Sequence, residues 1–325
     1  MPESGIQHAD LRRWLRAAEG FASGGAIAIE PLAGDVSLRR YYRIIGAAGR
    51  AIVAYYPPEL RAVAHRFERT TDLLQRAGVR VPAIRRVDHD AGLMLLEDVG
   101  AETLFDWRDR GWEAIAPHLA TAYDATLRLR AIDPADLDAG GSLMPPLDAA
   151  ALERELAMTW DVFLLPNGLV GDDPLSHRLS DHLSALCAAL EDGGMVPCHR
   201  DLMARNLVPL PASGEVAVLD HQDLRLGPTA YDAASLFNDS LYPEPQQVDA
   251  IVGEALTSSA VYHRAAVQRT LKIVGTFASF ARRGHPRHLT LVPRSLRRAL
   301  DHLAALPEGA GLAADLERRW ASTLC

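Results

Sequence analysis

The stretch Cys198-His199-Arg200-Asp201-Leu202-Met203-Ala204-Arg205-Asn206 sets a histidine, an aspartate and an asparagine at i, i+2 and i+7. A second stretch, Val218-Leu219-Asp220-His221-Gln222-Asp223, places another aspartate directly after a short apolar run. These residue types divide into roles. Asp201 offers a carboxylate that can accept the proton of an attacking hydroxyl. The neutral amide oxygen of Asn206 and the carboxylate of Asp220 are hard oxygen ligands. Together they would hold a divalent cation without over-neutralising it. A base, an amide ligand and a second carboxylate in this order are what phosphoryl transfer requires: one group on the nucleophile, two on metals that bridge phosphates.

The elements around this block must bring it to a cleft. The sequence before residue 100 reads as strands. Ala26-Ile27-Ala28-Ile29-Glu30-Pro31-Leu32 and Arg40-Tyr41-Tyr42-Arg43-Ile44-Ile45 flank the polar turn Ala33-Gly34-Asp35-Val36-Ser37, which predicts a hairpin. Residues 51–56 form a third strand stopped by Pro57-Pro58. A helix over 62–76, ended by Gly78, precedes a second hairpin, 83–87 and 93–96. Near the start, Asp10 is placed to N-cap a helix over 11–19. After Gly100 the periodicity turns helical, over 112–131, 150–163, 175–190, 246–262, 264–282 and 296–306, with a Pro/Gly/Asp-rich loop at 133–146. The expected fold class is α+β: a small β-rich N-lobe (1–98) and a larger, mainly helical C-lobe (99–325), with a cleft between them.

Composition bounds the function. The chain has 325 residues, 34 Lys+Arg against 42 Asp+Glu, and a net charge of -8. At 48% hydrophobic and 23% charged it can bury a full core, which excludes a disordered chain. The acidic balance argues against nucleic-acid or anionic-membrane partners. Neither an apolar leader segment nor a run of 18 apolar residues is present, so a cytoplasmic protein is expected, and a monomer. Three cysteines (Cys187, Cys198, Cys325), odd in number and without a CxxC pair, read as reduced thiols. Lysine occurs once, at Lys272; every other basic side chain of the Lys/Arg kind is arginine.

With these residues in place, the chain resembles the aminoglycoside phosphotransferase/choline kinase superfamily of small-molecule kinases. In detail it is most similar to the anomeric sugar kinases that act on N-acetylmuramate and N-acetylglucosamine at C1. The resemblance rests on residues 34–43, Tyr56-Pro57-Pro58-Glu59, Leu95-Leu96-Glu97-Asp98-Val99-Gly100, the catalytic block, 219–228 and Tyr231-Asp232-Ala233-Ala234-Ser235-Leu236. It implies a protein-kinase-like fold, ATP and Mg²⁺ as cofactors, a small-molecule sugar substrate, and a place in peptidoglycan recycling. Asp201 would be the base, and Asn206 and Asp220 the metal ligands. Gly34 and Ser37 would let the first hairpin close over the nucleotide phosphates, with Arg39 or Arg40 adding charge. The backbone near Glu97 and Val99 would meet adenine. Arg205 and Arg225 are candidates for a sugar carboxylate. Asp223 either orients sugar hydroxyls or closes a turn. His199 and Arg200 would hold the loop, braced by Asp232.

One departure stands out. Protein kinases carry a lysine on the third strand, and residues 51–56 have none. Arg43 or Arg50 could substitute, and Glu68 resembles the partner glutamate of the missing lysine. Two other classes fit the block less well. The pairs His199-x-Asp201 and His221-x-Asp223 suggest a metal-dependent hydrolase, but no further cluster completes a coordination shell. A nucleotide-binding pseudokinase would have no need of Asp201. Within the superfamily, an aminoglycoside acceptor calls for an acidic cleft and choline for an aromatic cage.

Overall fold

The computed structural model describes residues 7–17, 21, 25–32, 38–47, 49–138 and 144–324. Five strands, β1 (Ala28–Leu32), β2 (Arg40–Gly46), β3 (Gly49–Tyr55), β4 (Ile84–Asp88) and β5 (Leu93–Glu97), form one antiparallel sheet in the order β1-β2-β3-β5-β4. The alternation of side chains explains why β3 and β5 are almost continuously apolar. Ala51, Val53, Leu93 and Leu95 point to one face, where α1 (His8–Arg16) supplies Leu11 and Leu15. Ala54, Met94 and Leu96 point to the other, where α2 (Arg61–Arg76) supplies Ala64 and Phe67. Both faces of the sheet are therefore covered. Helix α1 begins earlier than expected, so Asp10 lies inside its first turn and pairs with Arg13 instead of capping.

The remainder is mainly helical: α3 (Trp112–Leu129), short α4 (Pro134–Asp138), α5 (Ala149–Thr159) and α6 (Pro174–Asp192) precede the catalytic block. Within the block lie four short strands, β6 (Met195–Cys198), β7 (Leu207–Leu210), β8 (Glu215–Val218) and β9 (Arg225–Pro228), paired as β6-β9 and β7-β8. Then come α7 (Tyr231–Phe237), α8 (Pro245–Val252), α9 (Glu254–Thr257), α10 (Ala260–Arg282), α11 (Val292–Ala304) and α12 (Ala310–Trp320). The single helix expected over 246–262 is broken at Gly253, whose φ of +83° no helix accommodates. Cys187 and Cys198 are free, buried thiols.

Two features of packing position the cleft. First, α2 does not belong to the sheet alone. Its later residues Leu73 and Leu74, with Val79 and Val81, enter a core made by α3, β7, β8 and α7. Arg69 Nη2 donates to the Asp136 carbonyl (2.7 Å), Arg128 Nη1 to the Gly78 carbonyl (2.6 Å), and the Val218 N–H to the Arg80 carbonyl (2.8 Å). Second, α10 crosses α5 at very short range. A Cβ at Gly275 would lie 2.3 Å from Thr159 Oγ1, which donates to the Leu271 carbonyl at 3.0 Å. Only glycine permits this approach, and it sets the face of α10 that looks into the cleft.

Candidate active site

Strand β6 delivers the chain into a sharp turn. Asp232, at the start of α7, accepts from the backbone N–H groups of His199 (2.7 Å) and Arg200 (2.8 Å). With both amides fixed, Arg200 adopts φ +75°, a left-handed conformation that costs a non-glycine residue on the order of 1–3 kcal/mol. The turn aims Asp201 at the cleft. His199 is fully buried, and its Nε2–H donates to the Leu219 carbonyl at 2.9 Å. It ties the loop bearing Asp201 to the residue before Asp220 and holds no position from which it could move a proton.

Asp201 is surrounded by cations. Its Oδ1 accepts from Arg269 Nη1 (2.7 Å) and Lys272 Nζ (3.2 Å), and Arg200 Nη1 lies 3.7 Å from Oδ2. Burial by itself would raise the carboxyl's pKa. The charges of Lys272, Arg269 and Arg200 outweigh it and hold the group well below the usual carboxylate range. Lys272 is pushed down, by its burial first and by Arg269. Arg269 is held from behind by Asp239 (3.4 Å), and Arg200 by Glu155 (2.6 Å) and Asp223 (3.2 Å). Arg269 and Lys272 lie 68 and 71 residues from Asp201 in the chain. Their i, i+3 spacing puts them on one face of α10. The solitary lysine was the one signal in the sequence that could have pointed to them.

Asp220 lines the same cavity, just after β8, at φ +60°. Its Oδ1 accepts from Arg39 Nη2 (2.8 Å) and Gln222 Nε2 (3.0 Å). The amide of Asn206 is oriented by its donation to the Asp201 carbonyl (2.9 Å), which leaves Oδ1 as the atom available to a ligand. An oriented amide oxygen beside a carboxylate that already attracts positive charge fits a hard divalent cation. The next residue, His221, is buried. Its Nε2–H donates to Thr71 Oγ1 at 2.8 Å, because that hydroxyl itself donates to the Phe67 carbonyl at 2.7 Å. The Phe67 ring packs on the imidazole at 4.4 Å. Burial, then His199 and Arg39, push its pKa down to about 3, so it is neutral.

Two cavities meet at Arg39, Asn206 and Asp220. One, about 370 Å³, is largely apolar and runs to the segment 96–100, with Ile52, Phe67, Leu96 and Val208 among its walls. The other, about 410 Å³, holds Asp201 and is lined by Arg205, Arg269, Lys272 and Arg283. The candidate residues distribute accordingly. Arg39, Glu97 and Val99 line the first cavity. The Glu97 carboxylate is turned to Arg80 (2.5 Å) and the Ala83 N–H (3.1 Å), which leaves backbone toward the cavity. Arg40 is exposed at the start of β2, opposite Tyr55, and does not line it. Gly34 and Ser37 lie outside the described residues.

Several expectations are corrected. Arg43 lines the first cavity but is tied down at its edge. Its Nε donates to Asp98 (2.9 Å) and its Nη2 to the Gly100 carbonyl (2.9 Å), clamping the chain where the sheet ends. Arg50 is exposed and also nearest Asp98, at 4.0 Å. The arginine from the sheet side that reaches Asp220 is Arg39. Glu68 pairs with His89 at 3.1 Å on the outer surface and faces neither cavity. Arg205 enters the second cavity, stacked 3.7 Å over the Phe105 ring and donating to Ser240 Oγ (3.2 Å). Arg225 is buried on β9 against the Asp223 carbonyl (3.0 Å), and Asp223 is spent on Arg200; neither lines that cavity.

Residues 28–268 match the family described as "Phosphotransferase enzyme family". The chain belongs to this family. Among its relatives, an N-acetylmuramate/N-acetylglucosamine kinase of Pseudomonas aeruginosa is 32% identical over 318 residues, covering 92% of this chain and 90% of the relative. Its namesake in Pseudomonas putida is 30% identical over 346 residues, covering 96% of each chain. Among solved structures, an ADP-bound aminoglycoside phosphotransferase superposes with a TM-score of 0.62 at 12% identity, covering 94% of this chain and 99% of that one. A choline kinase of Streptococcus pneumoniae gives 0.58 at 14%, covering 91% and 100%. The fold is thus the two-lobed, protein-kinase-like one. The family member described here is a nucleotide-using phosphotransferase with an alcohol group of a small molecule as acceptor. No helix among the described residues is long and apolar enough to cross a membrane.

Proposed function

We propose that this phosphotransferase uses ATP and Mg²⁺ to phosphorylate the anomeric hydroxyl of an amino sugar, N-acetylmuramate and/or N-acetylglucosamine, in the recycling of cell-wall sugars. The observation that carries the acceptor class is the charge of the cavity beside Asp201. Arg205, Arg269, Lys272 and Arg283 line it, against Asp201, Asp220 and Asp239. A polycationic aminoglycoside or a quaternary ammonium would meet like charge there. A sugar bearing a carboxylate would meet Arg205 and Arg283. The names of the Pseudomonas relatives support the same acceptors.

Asp201 would take the proton of the acceptor hydroxyl. Its pKa is held so low that early removal is unfavourable, and the anomeric hydroxyl, more acidic than an ordinary alcohol, suits late transfer. Asn206 Oδ1 and the Asp220 carboxylate would hold Mg²⁺, which when bound neutralises phosphate charge. Arg39 would meet the phosphates from the sheet side, and the backbone at 97–99 would meet adenine. On this scheme residues 1–98 form the nucleotide-binding lobe and 99–325 the catalytic and acceptor lobe. The protein would act as a monomer, and ATP as donor supports a cytoplasmic site of action. The test is ATP consumption over a panel of N-acetylmuramate, N-acetylglucosamine, an aminoglycoside and choline, followed by mild acid treatment of the product. Turnover of an amino sugar to an acid-labile phosphate is expected. Turnover restricted to the aminoglycoside or choline refutes the acceptor, and an acid-stable ester refutes the anomeric position.

A further inference from the structure

Lys272 has no part in the scheme above, yet it is the sole lysine in a chain with 34 residues of the Lys/Arg kind. It sits on α10 with 9% of its side chain exposed, in the cavity that also holds Asp201, Asn206, Asp220 and Arg39. Its Nζ lies 3.2 Å from Asp201 Oδ1, the only hydrogen-bond acceptor it meets among the described residues. An ammonium has three donors, so two remain for a ligand.

The neighbouring cations have other commitments. Arg269 already fixes Asp201 Oδ1 at 2.7 Å and is anchored from behind by Asp239. Arg200 faces Glu155 and Asp223. Arg205, the one basic residue between Asp201 and Asn206, is turned onto Phe105 and Ser240. The third strand offers no lysine. A phosphoryl group in transit between the two cavities would meet Arg39 from the sheet side. From the helical side it would meet Lys272, which touches the base and has no other acceptor among the described residues.

We propose that Lys272 is a catalytic residue, whose ammonium bridges Asp201 and an oxygen of the phosphoryl group as it passes to the acceptor. The inference rests on the phosphotransferase activity and on the role of Asp201, but not on which sugar is the acceptor. In the step, the acceptor oxygen forms a bond to the γ-phosphorus while the bond from that phosphorus to the β,γ-bridging oxygen breaks. The electron pair of the broken bond leaves with ADP, and the acceptor proton goes to Asp201. Lys272 keeps its three protons throughout and supplies charge to the equatorial oxygens, where it accumulates. A compact ammonium can reach both the carboxylate and the phosphoryl oxygen; a planar guanidinium, built for fork-like pairing, is a poor replacement here.

A single lysine makes the test direct. Protein labelled with ¹³C at lysine Cε gives one lysine side-chain signal. Binding of a non-hydrolysable ATP analogue with Mg²⁺, verified by calorimetry, is expected to shift that signal. A signal unmoved by bound analogue overturns the proposal. This arm needs no acceptor, so it is read even if no amino sugar turns over, an outcome that would count against the proposed function alone. In kinetics, Lys272→Met is expected to lower kcat on the order of 10²–10³-fold, the usual cost of losing one preorganised charge donor. The loss should be equal for N-acetylmuramate and N-acetylglucosamine, with the KM for ATP changed less than about threefold. Lys272→Arg should recover less than about a tenth of the parent kcat. Near-parental kcat in Lys272→Met overturns the proposal. So does a loss confined to the KM of the acid-bearing sugar, which would make the lysine a carboxylate binder.

Discussion

The two carboxylates that line the cavity beside Arg269 are held in place by different physics. Asp201, 21% exposed, is positioned by charge: Arg269, Lys272 and Arg200 surround it, and the two arginines are backed in turn by Asp239 and Glu155. Asp220, 38% exposed, is positioned by neutral packing. His199 holds the Leu219 carbonyl before it, and His221 after it is locked between Thr71 and Phe67. The first arrangement fixes a carboxylate so firmly that it resists protonation. The second leaves a carboxylate whose present partners, Arg39 and Gln222, can be exchanged for a metal without dismantling the support beneath.

Exchange of single groups should break this contrast in graded ways. Asp201→Asn keeps the shape of the base but cannot accept a proton. It should lower kcat on the order of 10²–10⁴-fold while ATP affinity, read by calorimetry, stays near the parent value. Acid should act on the histidines, His221 beneath Asp220 among them, before it reaches Asp201. The imidazoles of buried His221 and half-buried His302 are held down to about 3, and that of His288 to about 4, each chiefly by loss of solvent. Their folded pKa values lie below the unfolded value of about 6.5, so the unfolded chain binds more protons. The stability they contribute is complete above that pH and is lost as pH falls toward their folded values. Each group should add about 1.4 kcal/mol per pH unit to that slope. Urea unfolding at pH 7, 6 and 5 measures it, and His221→Asn should remove one proton's share. A slope unchanged in His221→Asn would refute the neutral support of Asp220.

Asp220→Asn removes the negative charge that would attract Mg²⁺. A charged interaction worth about 1.5–3 kcal/mol should raise the Mg²⁺ needed for half-maximal rate on the order of 10–100-fold. A Mg²⁺ profile identical to the parent's would remove Asp220 from the metal. The smallest effect is expected from Thr71→Val, which strands the buried His221 N–H and should cost about 1–2 kcal/mol in unfolding free energy. Its sharper readout is kinetic: the variant should raise the Mg²⁺ requirement and leave the response to Asp201→Asn unchanged. Equal disturbance of both carboxylates by Thr71→Val would show that the two supports are not separate.

The same contrast governs how much could be read from the amino-acid sequence. Asp201, Asn206 and Asp220 lie within twenty residues, on one loop and one hairpin, where spacing alone dictates relative position. The unbroken apolar runs 51–56 and 93–96 likewise mark two strands of the sheet. Arg269 and Lys272 could not be placed this way. Their distance from Asp201 is set by the close contact of Gly275 with Thr159, a tertiary contact that no local period encodes. Arg43 and Arg50 were drawn to Asp98, a partner that the strand pattern does not reveal. Arg225 is an apolar strand's buried arginine, and burial in a four-residue strand leaves no periodic trace.

The placement of α2 sets where the molecule can bend. Its first turns cover the sheet, whereas Leu73 and Leu74 are embedded among side chains of the helical part. Any swing of the sheet that widens the first cavity must leave those last turns behind, since extracting them exposes two buried leucines at roughly 1.5–3 kcal/mol apiece. The fulcrum is therefore not only the covalent link at 97–100, clamped by Arg43, but also a line running through the middle of one helix. Amide hydrogens of residues 73–76 should exchange in step with α3, and those of residues 61–67 in step with β3 and β5, so that a single helix reports two opening events.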